Sequence, residues 1–145
     1  MNELLIRAAR VEDAAALEQI ERECFPDPWS LDSLLTSLAS PLYYARAAET
    51  DGRIEAYLIA SLVLGEGELL RIAVRPGKRA RGIGRALVDA MLKDNPGITP
   101  WRLDVRESNY AARKLYEAIG FKPVIRRRSF YEKPREDGIM MMLEG

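Results

Sequence analysis

Apolar and polar residues along the chain change period several times, and each change marks an element. Leu4 to Ala8 is a short apolar run that reads as a first strand. Ala14, Leu17, Ile20 and Cys24 then recur at helical spacing, with Glu12 and Asp13 in the first turn, where negative charge suits the helix dipole. Phe25-Pro26-Asp27-Pro28-Trp29 cannot continue that helix, because proline lacks the amide N–H and clashes with the preceding turn. Ser30 is placed to cap a second short helix, Leu31 to Ser40, which Pro41 ends. Tyr43 to Ala48 and Arg53 to Leu64 read as strands joined at Asp51-Gly52, a strong hairpin dipeptide. Gly65-Glu66-Gly67 reads as another turn, and Glu68 to Val74 as the next strand.

The second half alternates helices and strands. A loop, Arg75-Pro76-Gly77-Lys78, precedes a helix whose apolar stripe is Ile83, Ala86, Leu87, Ala90 and Met91, stopped by Asn95-Pro96-Gly97. Trp101 to Val105 is a strand. Asn109 can cap the next helix, whose stripe is Ala112, Leu115, Tyr116 and Ile119, and Gly120 is placed as its left-handed C-cap. Lys122 to Phe130 and Gly138 to Leu143 close the chain as strands. The order β-α-α-β-β-β-α-β-α-β-β mixes hairpins with helical crossovers. It predicts an α/β (α+β) fold, a central mixed, mostly antiparallel sheet of about seven strands flanked by four helices, in a single domain over 1–145.

Composition narrows the chemistry. No apolar run nears the roughly 20 residues that span a bilayer, and the opening residues lack the apolar core of a signal peptide. A cytoplasmic protein with no membrane partner is expected. Lys and Arg total 22 and so do Asp and Glu, so the excess of positive charge that drives general nucleic-acid binding is missing and no nucleic-acid partner is expected. The chain has no histidine and one cysteine, Cys24. That excludes internal Ser-His-Asp and Cys-His nucleophile systems, and with the usual zinc ligands gone no metal is expected. Chemistry is left to carboxylates, Tyr, Lys, Arg, backbone amides or a bound cofactor.

The strongest local signal is Arg79-Ala80-Arg81-Gly82-Ile83-Gly84, at the start of the third helix. Glycines there let the backbone approach a ligand and leave amides unobstructed. Those amides are unpaired at a helix start, where the dipole is positive, and this suits a pyrophosphate. Lys78, Arg79, Arg81 and Arg85 add positive field. A solvated basic turn capping a surface helix explains the same spacing. No P-loop is present, and the third small residue of the dinucleotide fingerprint is missing, which argues against a nicotinamide site.

Arg79-x-x-Gly82-x-Gly84, preceded by Leu70-Arg71-Ile72-Ala73-Val74, resembles the acetyl-CoA signature of the GCN5-related (GNAT) N-acetyltransferases, and the element order is similar to that fold from end to end. Three further stretches resemble the bacterial ribosomal-protein-alanine N-acetyltransferase (RimI) type: Phe25 to Ser30, Leu103 to Asn109, and Arg127 to Tyr131 with Glu136 to Met141. The likeness covers essentially the whole chain. It implies acetyl-CoA as co-substrate, with the backbone of Ile72, Ala73 and Val74 holding the pantetheine arm. Arg79, Ala80, Arg81, Gly82, Ile83, Gly84 and Arg85 would hold the pyrophosphate, and Asn109 would contact the coenzyme. Tyr116 would give a proton to the departing thiolate. Arg127 and Tyr131 would form part of the peptide site, with Trp29 a further acceptor-side candidate. Asp104 stands where the family usually has a catalytic glutamate.

Spacing alone offers other roles for these residues. Tyr116 lies on an apolar stripe and reads as a core aromatic. Asn109 is explained as an N-cap, Asp104 alternates with Leu103 and Val105 and could face solvent, and Trp29 reads as a packing anchor. Asp104 is one methylene shorter than glutamate, so its carboxylate falls about 1.5 Å short, and action through an ordered water is expected. The implied activity is direct attack, in a ternary complex, by the N-terminal α-amine of a protein, with a ribosomal protein as the expected target and the enzyme a monomer or weak dimer. Small-molecule amines, lysine side chains, or a non-catalytic acyl-CoA-sensing role remain as alternatives.

Overall fold

In the computed structural model, which describes residues 3–79 and 81–145, one seven-stranded sheet runs β1-β2-β3-β4-β5-β7-β6. The strands are β1 (Leu5–Ala8), β2 (Tyr43–Thr50), β3 (Arg53–Val63), β4 (Glu66–Val74), β5 (Trp101–Arg106), β6 (Lys122–Glu132) and β7 (Arg135–Leu143). Four helices flank it, α1 (Ala14–Cys24), α2 (Leu31–Ala39), α3 (Ile83–Asp94) and α4 (Tyr110–Ile119). The predicted order and the mixed, mostly antiparallel character hold: only β4 and β5 run parallel. No helix among the described residues is long and apolar enough to cross a membrane.

Alternation along the strands builds two cores. Leu17, Ile20 and Leu34 of α1 and α2 bury against Ala47, Tyr57, Ile59 and Ala73 on one face. On the other face Leu87, Val88 and Met91 of α3 and Tyr116 of α4 bury against Leu58, Leu69, Leu103 and Val105. Because side chains point alternately to opposite faces, any strand residue can be assigned to the α1/α2 face or the α3/α4 face.

The structure corrects several boundaries. The turn after β3 is Leu64-Gly65, with φ of +53° and +81°, so Glu66 and Gly67 belong to β4 rather than to the turn. Gly67 is needed in the strand because a Cβ there would run into the ring of Trp101. The closing strands extend to Glu132 and back to Arg135, since the two pair across the Lys133-Pro134 turn. Ser40 is the C-cap of α2 and lies outside the helix. Gly120 has a positive φ, +124° with ψ 0°, which lies beyond the left-handed helical region expected of it.

Candidate active site

The site is a fork in the sheet. β4 and β5 pair over three residues only, Gly67 with Trp101, Glu68 with Arg102 and Leu69 with Leu103, and then part. The parting has a local cause. Register against β3 moves from Ala60–Leu69 to Ile59–Arg71, so Leu70 is an extra, bulged residue, and bulges bend a strand away from its partner. Beyond it β4 keeps only β3. The Arg75 amide donates to the Glu55 carbonyl over 2.9 Å. By the two-residue alternation of an antiparallel ladder, Ala73 also faces β3, while Ile72 and Val74 direct their backbone groups into the fork. Ala73, predicted with them, spends its backbone on Tyr57 and is buried. The Val74 carbonyl accepts from Arg79 Nε at 3.1 Å and from Cys24 Sγ at 3.4 Å.

The start of α3 lies at the open end of that strand edge. Gly82 is its N-cap at φ +76°, a conformation that glycine adopts without strain. The first intrahelical bond runs from the Ala86 amide to the Gly82 carbonyl over 3.0 Å, which leaves the amides of Ile83, Gly84 and Arg85 without intrahelical acceptors. A Cβ on Gly84 would sit 3.6 Å from Leu115 and 4.0 Å from Ile72, so the helix start is wedged between β4 and α4. Arg81 and Gly82 are exposed. Arg79 folds back on Val74, Arg85 pairs with Asp89 at 3.2 Å, and Ala80 lies outside the described residues. Asn109 caps α4, its Oδ1 accepting from the Ala112 amide at 3.2 Å.

The candidate acid and base flank the fork from opposite sides. Tyr116 is buried on the α3/α4 face, edge-on to Phe121 with ring centroids 5.9 Å apart. Burial pushes its hydroxyl well above the usual tyrosine value, and so it stays protonated. Asp104 alternates with the buried Leu103 and Val105, which places it on the α1/α2 face. Its Oδ1 accepts from Arg127 Nε at 2.9 Å, and its side chain is 20% exposed. Arg106 lies over the Tyr131 ring, 4.4 Å from its centroid, and burial, then the Asp104 carboxylate, push the Tyr131 hydroxyl up to about 12, with Arg106 and Arg71 pulling the other way. Tyr131 follows a bulge in β6, where register moves from Arg127–Gly138 to Tyr131–Glu136. Ser129 is held at φ +49°, its amide N–H donating to Asp137 Oδ1 at 2.7 Å. The other carboxylates nearby are engaged: Glu136 accepts from the Ser108 amide at 2.6 Å and Arg106 at 3.3 Å, and Glu107 pairs with Arg126 at 2.9 Å.

Two residues of the site went unpredicted. Glu21, fully buried on α1, accepts from Arg71 through both oxygens and also from the Trp29 amide at 2.7 Å. Arg71 lies over the rings of Phe25 and Trp29, 3.8 and 5.2 Å from their centroids. The signal was present: Glu21 follows Leu17 by four and precedes Cys24 by three, a charge on the apolar stripe.

The fork brings together a free strand edge, a helix start with unpaired amides, a buried tyrosine hydroxyl on one face and a carboxylate on the other. This is an arrangement for group transfer between two bound molecules. Residues 14–121 match the Acetyltransferase (GNAT) family. The chain is 34% identical over 142 residues to the [ribosomal protein bS18]-alanine N-acetyltransferase of Escherichia coli K12, covering 95% of each. It is 35% identical to the Salmonella typhimurium protein of the same name, covering 90% of each. The crystal structure of the ribosomal-protein-S18-alanine N-acetyltransferase from Escherichia coli aligns at TM-score 0.92 and 32% identity, covering 98% of this chain and 94% of that one. Arabidopsis thaliana NAA60 in complex with acetyl-CoA shares the fold at TM-score 0.86 and 21% identity, covering 98% of each chain.

Proposed function

The chain belongs to the GNAT acetyltransferase family and is an N-acetyltransferase, and we propose that it moves acetyl from acetyl-CoA to the N-terminal α-amine of a protein. The bS18-alanine activity in its relatives' names makes a ribosomal protein the first target to test. The observation that carries the reading is the placement of Tyr116 and Asp104 on opposite faces of the fork, beside the free edge of β4.

Acetyl-CoA fits the residues present. The Ile72 backbone and the Val74 amide would pair with the pantetheine as an added strand partner, and the α3 amides would receive the pyrophosphate. The amine nitrogen attacks the thioester carbonyl carbon, the C–S bond breaks, and the sulfur takes the proton of Tyr116. The amine proton leaves toward Asp104 through a water, with Arg127 fixing the carboxylate. No enzyme nucleophile is needed, and rate comes from positioning and proton transfer. An α-amine has a pKa near 7.7–8.0 against about 10.4 for lysine, so at neutral pH about a tenth of the former is neutral and under a thousandth of the latter. A short carboxylate acting at a distance suits the α-amine.

The test is coenzyme A release from acetyl-CoA with peptides beginning in Ala, Ser, Gly or Met, each with a free or blocked α-amine, beside internal-lysine controls. Release that needs the free α-amine is expected. Release only with the lysine controls, or only with small amines, would overturn the reading.

A further inference from the structure

A charged pair buried in an apolar helix stripe is rarely the most stable choice. Hydrophobic residues of similar volume are often as stable or more so, because both charges must leave water. Glu21 and Arg71, 0% and 17% exposed, are such a pair. Its product is a guanidinium that cannot move. Nε and Nη2 are spent on Glu21, at 3.1 and 2.8 Å, Nη2 also reaches the Asp27 carbonyl at 3.3 Å, and the Phe25 ring covers one face. Arginine has five N–H donors. Nη1, with two of them, has no acceptor among the described residues.

The place of Arg71 gives those donors a use. It is the first residue after the bulge that opens the fork, and it shares the α1/α2 face with Ala73. Asp104 occupies the same face on the other arm. The two arms part at the Leu69–Leu103 pair, one residue before Asp104 and two before Arg71, so both residues stand at the mouth of the fork. An amine brought to Asp104 therefore has the rest of its molecule beside Arg71. In a protein N-terminus, a carbonyl follows the amine-bearing carbon directly. In a lysine side chain, three further methylenes follow instead.

We infer that Arg71 is a specificity-determining residue whose Nη1 donates to the first carbonyl of the acceptor chain, with Glu21 as the residue that positions it. This rests on the α-amine reading above and supplies its selection against lysine. A neutral carbonyl meeting a fixed cationic donor is a strong hydrogen bond, and the partner is absent from any acceptor without that carbonyl.

The experiment compares two acceptors, an Ala-initiated peptide and the same peptide with its first amide replaced by an (E)-alkene, across the native chain, Arg71→Lys, and the charge-free double variant Glu21→Gln with Arg71→Met. Lysine retains the ion pair and glutamine still accepts from the Trp29 amide, so neither variant leaves a lone buried charge. Comparing the ratio of the two acceptors between proteins cancels their different amine basicities. The expected result is a loss of about ten- to hundredfold in kcat/KM on the amide peptide, carried by KM, with the alkene peptide nearly unaffected and the acetyl-CoA KM unchanged. Equal losses on both acceptors, or none on the amide peptide, would overturn the assignment. A native chain that acetylates neither removes the α-amine reading, and this inference with it.

Discussion

Arg127 Nε lies 2.9 Å from Asp104 Oδ1, and through this contact the β6–β7 hairpin holds the only carboxylate on the β5 arm of the fork. Oδ2 has no partner among the described residues and is free to accept from a water. The pair makes a paired prediction. Asp104→Asn should lower kcat by about 10²-fold, the lower end of general-base effects, and steepen the dependence of rate on alkaline pH, since only amine already neutral can react. Arg127→Gln should cost less, about tenfold. If Arg127 acts through Asp104, the double variant is no slower than Asp104→Asn alone. Additive losses in steady-state kinetics would separate the two roles.

Tyr116 tests whether the buried hydroxyl is chemistry or packing. Tyr116→Phe preserves the ring and its edge contact with Phe121. A proton-donor role predicts kcat down by about 10²-fold with little change in either KM. Unchanged kcat would reduce Tyr116 to a core aromatic. The same residue shapes alkaline stability. Burial raises its folded-state pKa above the unfolded value of 10.0, so its contribution is fully present below pH 10 and is lost as pH climbs toward the folded value. Tyr131 behaves likewise between 10.0 and about 12. Denaturant titrations should show stability falling above pH 10, with a shallower slope in Tyr116→Phe.

Much of this was legible in the chain, and the reasons for the rest are physical. Hairpin dipeptides, stripes and caps mark the elements because they depend on neighbours in sequence, as Asn109 does in capping α4. The left-handed Leu64 was not legible, because leucine gives no sign of that conformation. Nor was β7 entering between β5 and β6, which depends on pairing partners far apart in the chain. Within the site, the glycine loop and Tyr116 stand out by type and spacing. The Glu21–Arg71 pair joins residues 50 apart, and only the misplaced charge on the α1 stripe hinted at it. Ala73 is the instructive error. The family likeness implied backbone contacts from Ile72, Ala73 and Val74 alike, but a strand offers each edge only every second residue, and Ala73 turns to β3.

Gly82 separates the anion site from a merely exposed turn. Nothing lies within 4 Å of a Cβ built there, so Gly82→Ala meets no clash and suffers only the left-handed backbone conformation at φ +76°, which costs about 1–2 kcal/mol. The melting temperature should fall by a few degrees. Because the strain acts on the amides at the start of α3, the KM for acetyl-CoA should rise several-fold while the KM for the peptide stays near its native value. A thermal shift without any change in the acetyl-CoA KM would show that this turn does not hold the coenzyme.

Gly67 makes the strongest structural demand in the fork. It sits where β4 and β5 still pair, opposite Trp101, and a Cβ would overlap that buried ring. Trp101 cannot yield easily, because it is 2% exposed in the core under α3 and α4. Gly67→Ala must therefore push the strands apart or turn the indole from its well, and overpacking of this kind costs about 1–3 kcal/mol or more. Urea unfolding should show that loss with an unchanged m-value. The displacement starts two residues before Leu69, at which the arms of the fork diverge, so it also alters the gap between Asp104 and the free edge of β4. Activity should fall even at temperatures where the variant is fully folded, since a misplacement of about 1 Å at a reacting centre can cost 10²-fold. A stable Gly67→Ala protein with native kcat would mean that the Trp101–Gly67 contact does not set the geometry of the fork.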